Sequence, residues 1–182
     1  MLVLADKPKK VTFPSGYDEQ PIVYDDVLSI LRGAQHEVLI MSPYFIPVDE
    51  ILALLQDLRA RGMSLRVLTN SLASTDMPPV FAAYARRRRQ LLQTGVELYE
   101  LRPTPGEPRG LLKSFTPSKT TLHAKAALVD QRIVFVGSLN LDPRSKLENT
   151  EDGLVTFSSE LGARMAGIFA RGRHPRTATP SI

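Results

Sequence analysis

Short apolar runs alternate with amphipathic stretches along the first hundred residues of the chain. Apolar residues at helical spacing predict helices, and the compact runs between them predict buried strands. Asp49 is predicted to cap the second helix, and Gly33, Gly62 and Gly95 are predicted to end the three helices. In chain order the predicted elements are helix 25–35, strand 37–45, helix 50–62, strand 64–70, helix 78–94 and strand 96–101. This alternation predicts an α/β domain with a largely parallel sheet and helices on its faces.

The pattern changes after residue 101. Six prolines and glycines predict a long loop over 102–120. Two adjacent strands are then predicted to form a hairpin, with Asp130-Gln131 as its tight turn. The remaining predicted elements are strand 122–129, strand 132–137, strand 153–158 and helix 159–171.

Both ends of the chain lack a regular apolar period. Residues 1–20 are predicted to form an irregular arm, and residues 172–182 a disordered tail. A single domain over 21–171 remains between them. A chain of 182 residues is long enough to bury a real core.

The composition is that of a mildly basic globular protein. A net charge of +4 suits a phosphate-bearing partner, such as nucleic acid or an anionic membrane, without requiring one. The four arginines 86–89 would spread around a helix, which favours a solvated surface over a phosphate-binding patch. The absence of cysteine excludes disulfides and thiolate metal sites. No apolar run approaches the roughly 18 residues of a membrane span, so any membrane contact is expected to be peripheral.

The chemically richest stretch is TLHAKAALVDQRIVFVGSLNLDPRS (121–145), around the predicted hairpin. Side chains alternate along a strand, which places His123 and Lys125 on one face. The predicted pairing puts Ser138 opposite His123 and Asn140 diagonal to it. The spacing therefore predicts a compact pocket that holds these four side chains.

This prediction depends on the register of the hairpin. A two-residue turn pairs Val129 with Arg132, and a slip of one residue would move every side chain to the other face. Gly137, just before Ser138, is expected to leave room for the backbone to approach a ligand closely.

The predicted pocket suits an anionic oxygen, and phosphate most naturally. Lys125, Asn140 and Ser138 can all donate hydrogen bonds toward one point. A neutral imidazole, here that of His123, can attack phosphorus and form a covalent intermediate. No spacing of His, Asp or Glu in this chain is typical of a metal site, so no cofactor is expected.

The spacing of the cluster resembles the HKD signature of the phospholipase D superfamily. The matching positions are His123, Lys125 and Asp130, followed by Gly137, Ser138 and Asn140. The segments 41–47, 95–101 and 137–151 are similar to the second catalytic half of bacterial cardiolipin synthases, particularly the type C branch. The likeness covers roughly residues 20–170. It implies a three-layer α/β/α sandwich with a mixed, mostly parallel sheet and a single HKD domain.

The resemblance also implies roles for the matching residues. His123 would be the nucleophile, forming a phosphohistidine, or the general acid for the leaving alcohol. Lys125 and Asn140 would hold the non-bridging phosphate oxygens, and Ser138 would support that grip. No metal is implied.

Three further residues complete the predicted site. Asp130 belongs to the catalytic motif, where the resemblance implies a role in fixing the hairpin or supporting the histidine rather than in attack. Gly137 and Glu151 are predicted to support the site. Glu151 matches a carboxylate that commonly pairs with a catalytic histidine across the pocket.

The chain departs from the family in having one HKD motif where the family's active site uses two. His36 is expected to be structural, and His174 to have no role in the site. A second histidine would come from the missing half of a longer two-motif protein or from a second copy in a homodimer; otherwise the chain is an inactive remnant. The details SPYFIP and DPRS, and the ending RGRHPRTATPSI, favour a truncated or frame-altered two-motif protein.

Three functions remain open on this evidence. The first is a phosphatidyltransferase half-site of the cardiolipin synthase kind, at the cytoplasmic face of the inner membrane, with phospholipid as substrate. The second is a homodimeric phosphodiesterase that acts on nucleic acid, which the basic charge and single motif would suit but which is less favoured. The third is a non-catalytic phosphate-binding fragment.

Overall fold

The computed structural model describes residues 1–7, 22–101, 121–172 and 178–180. In chain order its elements are β1 (Leu2–Ala5), α1 (Ile22–Arg32), β2 (Glu37–Met41), α2 (Asp49–Ala60), β3 (Ser64–Asn70), α3 (Pro78–Gln93), β4 (Glu97–Leu101), β5 (Ala126–Val129), β6 (Ile133–Gly137), α4 (Pro143–Leu147), β7 (Asp152–Phe157), α5 (Ser159–Gly172) and β8 (Ala178–Pro180).

The described strands form one eight-stranded mixed sheet in the order β1-β7-β6-β5-β2-β3-β4-β8. Only the β2–β3 and β3–β4 pairings are parallel, and the five others are antiparallel. The prediction of a mostly parallel sheet was therefore wrong, although a mixed sheet is confirmed. The parallel strands β2, β3 and β4 are connected by the helices α2 and α3, because parallel neighbouring strands need long crossover connections. The second half of the chain adds its strands through a hairpin and short turns, and these strands pair antiparallel.

Helices cover both faces of the sheet, which confirms the three-layer α/β/α architecture. On one face, Val38 and Ile40 of β2 belong to a large apolar cluster that includes buried residues of α1, α2 and α3. On the other face, Leu39 of β2 packs in a smaller cluster with Met165 and Phe169 of α5. Alternate residues of β2 thus face opposite layers, as the period of two in a strand requires.

Two of the predicted helix ends are confirmed by backbone geometry. Gly62 and Gly95 follow α2 and α3 with φ of +86° and +82°, a conformation that glycine adopts without steric cost. The predicted cap of α2 was wrong. Val48 occupies the N-cap without a side-chain cap bond, while Asp49 lies in the first turn. Its carboxylate pairs with Arg87 at 2.8 Å.

The arginine run 86–89 lies on α3 and contributes ion pairs to its surroundings. Arg87 pairs with Asp49 of α2, and Arg88 pairs with Glu100 of β4 at 2.9 Å. Both guanidinium groups are partly exposed. For these two arginines, the contacts agree with the predicted solvated helix surface.

The chain ends differ from the prediction where they are described. Leu2–Ala5, predicted to be irregular, form β1 and pair antiparallel with β7, with Leu4 buried. Residues 178–180, predicted to be disordered, pair with β4 as β8. These strands have three or four residues, too few to show a period, and they form because the outer edges of β7 and β4 offer backbone partners. The rest of the predicted arm beyond residue 7, the loop 102–120 and the remaining tail residues lie outside the described residues.

The β5–β6 hairpin has the predicted turn but a different register. Asp130 and Gln131 adopt φ of 50° and 55°, as a tight hairpin turn requires. Val129 pairs with Ile133, however, and not with Arg132. The Arg132 N–H donates to the Val129 carbonyl to close the turn, while the Arg132 carbonyl accepts from the Ser158 N–H at 2.8 Å. Arg132 is thereby held out of the ladder, and the pairing moves by one residue.

Candidate active site

A cleft of about 700 Å³ opens where β5 and β6 cease to pair, and it collects most of the predicted site. Its lining includes His123, Lys125, Ser138, Asn140 and Glu151. The shorter ladder means that residues 121–125 and 138–140 lie outside the paired strands. The four predicted ligand-facing side chains therefore meet in one pocket, but not through the strand register from which they were predicted.

His123 and Lys125 lie on the segment that leads into β5. The His123 side chain is exposed to the cleft, whereas Lys125 is half-buried. Lys125 Nζ donates to the His123 carbonyl at 3.2 Å, and the Lys125 carbonyl accepts from the Gly137 N–H at 3.1 Å. The lysine backbone is thus tied to β6, and its side chain folds back along the segment that carries the histidine.

Burial lowers the pKa of Lys125, although three carboxylates act in the opposite direction. These carboxylates belong to Glu151, Asp76 and Asp142. Desolvation disfavours the charged ammonium, and an anion bound beside it would restore the lost interaction. A bound anion would therefore stabilise the charged form of Lys125.

Ser138 lines the cleft, but its hydroxyl is hydrogen-bonded to other groups of the protein. Its Oγ donates to the carboxylate of Glu151 and accepts from the Asp152 N–H at 3.0 Å. Glu151 is only 3% exposed and also accepts from Asn149 Nδ2 at 3.2 Å. In this arrangement Ser138 orients Glu151 at the pocket wall. A direct grip on phosphate would require the serine proton to turn away from the carboxylate.

The backbone of Glu151 is held from the N-terminal end of the chain. Its N–H donates to Asp6 Oδ2 at 3.1 Å, and its carbonyl accepts from the Asp6 N–H at 2.8 Å. The other carboxylate oxygen of Asp6 accepts from the Val23 N–H at the start of α1. The sequence pattern contains no signal for this contact, because Asp6 lies in a segment that was predicted to be irregular.

Asn140 lies at the base of the cleft. Its side chain is buried, and its Oδ1 has no hydrogen-bond partner among the described residues. Its backbone N–H donates to Ser145 Oγ at 3.2 Å. A buried amide oxygen without a partner is costly and marks a place where a ligand or water is expected.

The helix α4 forms one rim of the cleft and was not predicted. Asp142 caps it by accepting a 2.7 Å bond from the Ser145 N–H, and Pro143 occupies the first turn. Burial raises the pKa of Asp142, against the bonds from Ser145 that lower it. The Asp-Pro dipeptide was the available signal, because aspartate at the cap and proline at the first helical position favour a helix start.

Asp130 does not line the cleft. Although it belongs to the predicted catalytic motif, it is not near the other residues of that motif. It lies at the opposite end of β5, where its carboxylate accepts from the backbone N–H groups of Gln35, His36 and Glu37 at 2.8–3.0 Å. Burial raises the pKa of the carboxyl, but these three bonds outweigh it and the pKa is lowered. The geometry favours the hairpin-fixing role.

The packing of β6 against β7 explains why residue 137 is a glycine, apart from any access for a ligand. A Cβ at this position would meet the Asp152 carbonyl, and would lie 2.8 Å from Gly153 Cα and 2.9 Å from the Phe135 ring. Room for a ligand at Gly137 stays a prediction. The missing side chain makes room for the adjacent strand β7.

Two residues of the lining, the aromatic Tyr44 and the charged Arg144, were not predicted from the sequence. Tyr44 donates from its hydroxyl to Asp76 at 2.9 Å, and burial together with this bond raises the pKa of Tyr44 to about 12. Arg144 on α4 adds an exposed cation at the rim. The segment SPYFIP was noted only for its resemblance, and its tyrosine carried no chemical pattern that could be read alone.

His123 is the one histidine of the described residues that lines the cleft. His36 lies outside the cleft, and His174 lies outside the described residues. Over residues 1–7, 22–101, 121–172 and 178–180, no group of His, Asp or Glu side chains is placed to hold a metal ion. No helix in those ranges has the length and apolar character needed to cross a membrane.

The fold and the pocket are those of a phospholipase D-like domain. Residues 27–172 match the family described as "Cardiolipin synthase, PLD-like domain". The chain belongs to this family, which confirms the resemblance drawn from the HKD spacing. It is 41% identical over 153 residues to cardiolipin synthase C of Escherichia coli (strain K12), covering 81% of this chain and 32% of that protein. It is 32% identical over 145 residues to cardiolipin synthase B of Salmonella typhi, covering 78% and 31%.

The chain thus spans about a third of the length of these curated relatives. Among solved structures it resembles Nuc, a phospholipase D family member from Salmonella typhimurium, with a TM-score of 0.67 and 18% identity over 99% of both chains. It also resembles phosphatidylserine synthase of Haemophilus influenzae Rd KW20, with a TM-score of 0.65 and 17% identity over 92% of this chain and 38% of that one. At these identities the likeness shows the fold.

Proposed function

We propose that this chain is one half of a cardiolipin synthase-like active site, which transfers a phosphatidyl group through a phosphohistidine at His123. The single observation that carries the proposal is the convergence of His123, Lys125 and Asn140 in one cleft. The partly desolvated ammonium of Lys125 supplies a positive charge for a phosphodiester, and the Asn140 side-chain N–H groups can donate to it.

In the proposed first step, a nitrogen of the neutral His123 imidazole attacks phosphorus, and the bond from phosphorus to the leaving alcohol breaks. The leaving oxygen takes a proton from a general acid. Lys125 and the Asn140 amide hold the non-bridging oxygens, where charge builds up in the transition state. In the second step, the conjugate base of that acid takes the proton of an acceptor alcohol or water, whose oxygen attacks phosphorus. The bond from phosphorus to the His123 nitrogen breaks and restores the imidazole.

The general acid is the part that the described chain lacks. No second histidine of the described residues lines the cleft. We propose that a second HKD half, supplied by a longer protein or by a second copy, provides it. Because the substrate is then a phospholipid, the working location is peripheral at the cytoplasmic face of the inner membrane.

The attack can be tested without the missing acid by using bis(p-nitrophenyl) phosphate. Its leaving group departs as a stable phenolate and needs no proton. We expect the pure chain to release about one p-nitrophenolate per active site in a rapid burst, with the remaining p-nitrophenyl phosphoryl group bonded to His123. His123→Ala should abolish the burst.

The matched control is His36→Ala, because His36 lies outside the cleft. This variant should keep the full burst. A wild-type chain without a burst, or a burst that survives His123→Ala, overturns the proposed nucleophile. Turnover of phosphatidylglycerol vesicles, followed by glycerol release, is expected only when a second half or second copy completes the site.

The alternative function is a homodimeric phosphodiesterase that acts on nucleic acid. The likeness to Nuc over 99% of both chains favours it, because the match extends over the whole length of each chain. It requires a dimer in solution and DNA binding that weakens as salt rises. Light scattering at several protein concentrations tests this alternative, since a strictly monomeric chain removes the homodimer. A stable dimer that cleaves DNA but not lipid would replace the proposed function.

A further inference from the structure

Among the residues that the structure describes, the segment that carries His123 has few backbone hydrogen-bond partners. Residues 121–125 precede β5 and lie outside the paired strands. At one end, the Lys125 carbonyl accepts from the Gly137 N–H of β6. At the other end, a side chain from β3 takes the place of a neighbouring strand.

That side chain is Asn70, the last residue of β3. Its Oδ1 accepts from the Leu122 N–H at 2.9 Å, and its Nδ2 donates to the Leu122 carbonyl at 3.0 Å. An amide side chain offers the same donor and acceptor as a peptide group, so it can pair with a backbone residue as a strand would. Asn70 thus holds both polar groups of the residue that immediately precedes His123.

The asparagine is itself fixed by its surroundings. It is 2% exposed, and its Oδ1 also accepts from Ser74 Oγ at 3.2 Å. The carbonyl of Ser74 accepts from Thr121 Oγ1 at 2.9 Å, which adds a second link to the same segment. A buried amide with satisfied partners has little rotational freedom and can set the position of the backbone that it binds.

We propose that Asn70 is a positioning residue for the nucleophile His123. The inference deepens the proposed function and rests on it only through the role of His123. His123 lies between two anchors, Asn70 at Leu122 and Gly137 at Lys125. Loss of the first anchor leaves only the Thr121–Ser74 link on that side of the histidine, while the phosphate-holding Lys125 keeps its own backbone bond. Removal of Asn70 should therefore slow attack more than it weakens anion binding.

The test compares Asn70→Ala with Thr69→Val in the full chain. Thr69 is the preceding residue of β3 and equally buried, but its hydroxyl contacts the Pro43 carbonyl and not the His123 segment. We expect Asn70→Ala to slow the p-nitrophenolate burst about 30-fold, with the dissociation constant for inorganic sulfate changed less than twofold. Thr69→Val should change both quantities less than twofold. A burst rate in Asn70→Ala equal to that of Thr69→Val overturns the proposal.

A second readout separates this inference from the proposed chemistry. Hydrogen exchange of the Leu122 amide should accelerate more than tenfold in Asn70→Ala and remain unchanged in Thr69→Val. A wild-type chain without any burst would refute the proposed nucleophile, and exchange at Leu122 would still decide whether Asn70 positions the segment. Unchanged exchange overturns the positioning role. Should Asn70→Ala fail to fold, Asn70→Asp keeps the acceptor for the Leu122 N–H, loses the donor, and should show the same effects at smaller size.

Discussion

The carboxylate of Asp130 accepts a 2.8 Å hydrogen bond from the backbone N–H of His36, 94 residues earlier in the chain. The same carboxylate accepts from Gln35 and Glu37, so one side chain binds three consecutive N–H groups between α1 and β2. Asp130 has φ of 50°, a conformation that aspartate and asparagine tolerate better than most residues. These bonds fix the hairpin turn to the segment that leads into β2. The turn lies at the end of β5 opposite the cleft.

Replacement of Asp130 by Asn should lower the free energy of unfolding by about 2 kcal/mol, because hydrogen bonds to a charged acceptor are stronger than neutral ones. The substitution keeps the side-chain size and the tolerance for positive φ. Urea denaturation at pH 7 measures the loss. Asp49→Asn is the matched control, because that carboxylate is 86% exposed, and it should cost about 0.5 kcal/mol or less.

The same site predicts an acid dependence of stability. Folding lowers the pKa of Asp130 below its ordinary value of 3.8, so its stabilising contribution is fully present above that value. The contribution is lost as pH falls below 3.8 toward the folded-state pKa. The difference in stability between wild type and Asp130→Asn should therefore shrink over that interval. A difference that stays constant there would show that the charge of Asp130 does not stabilise the turn.

Much of the first half of the fold could be predicted because its signals are local. The strand over 64–70 was predicted with its observed bounds, and the apolar period of α3 and its flanking residues located that helix within one residue. Propensity and period do not determine which edge a strand joins. Strand β1 and the antiparallel pairings of the second half therefore needed the assembled sheet.

The candidate site shows the same division. The types and spacing of His123, Lys125 and Asn140 predicted a shared pocket. The partners that hold them could not be predicted, because Asn70 lies 52 residues from Leu122 and Asp6 lies 145 residues from Glu151. Contacts between residues so far apart in the sequence depend on the order of strands in the sheet, and local sequence patterns do not determine that order.

Substitution of Gly137, which precedes the cleft-lining Ser138, should destabilise the domain. A Cβ there would collide with the Asp152 carbonyl and crowd Gly153 Cα, so Gly137→Ala should cost about 3 kcal/mol. Gly167→Ala is the matched control, because a Cβ within α5 meets nothing closer than Arg171 Nη1 at 3.7 Å. It should stabilise by about 0.5–1 kcal/mol through helix propensity. Thermal unfolding of both variants measures the contrast, and a tolerated alanine at 137 would refute the steric explanation.

Anion binding should weaken at alkaline pH as Lys125 loses its proton. Burial lowers the pKa of Lys125, so the decline should be centred below the ordinary lysine value of 10.5. Inorganic sulfate is the suitable probe, because its own charge does not change in this range. Tyr44 stays largely protonated below pH 11, since its pKa is raised to about 12. Calorimetric titration at successive pH values locates the midpoint.

The control for this pH dependence is Lys125→Arg, because a guanidinium keeps its charge over the whole range. Sulfate binding by this variant should not show the decline between pH 8 and pH 11, whatever its absolute affinity. A midpoint at or above 10.5 in the wild type would contradict the desolvation of Lys125. A decline that persists in Lys125→Arg would assign the titration to another group.

The rim helix α4 should depend on Lys146 for its attachment to the body of the domain. Lys146 Nζ donates to Glu50 of α2 at 2.6 Å and lies 5.0 Å from the centre of the Tyr24 ring. Its side chain is 28% exposed, so the pair is only partly screened, and Lys146→Ala should cost about 1 kcal/mol. Arg164→Ala removes the pair with Glu160, whose side chains are 73% and 79% exposed, and should cost about 0.3 kcal/mol. Equal losses in urea denaturation would show that the contact does not anchor the rim.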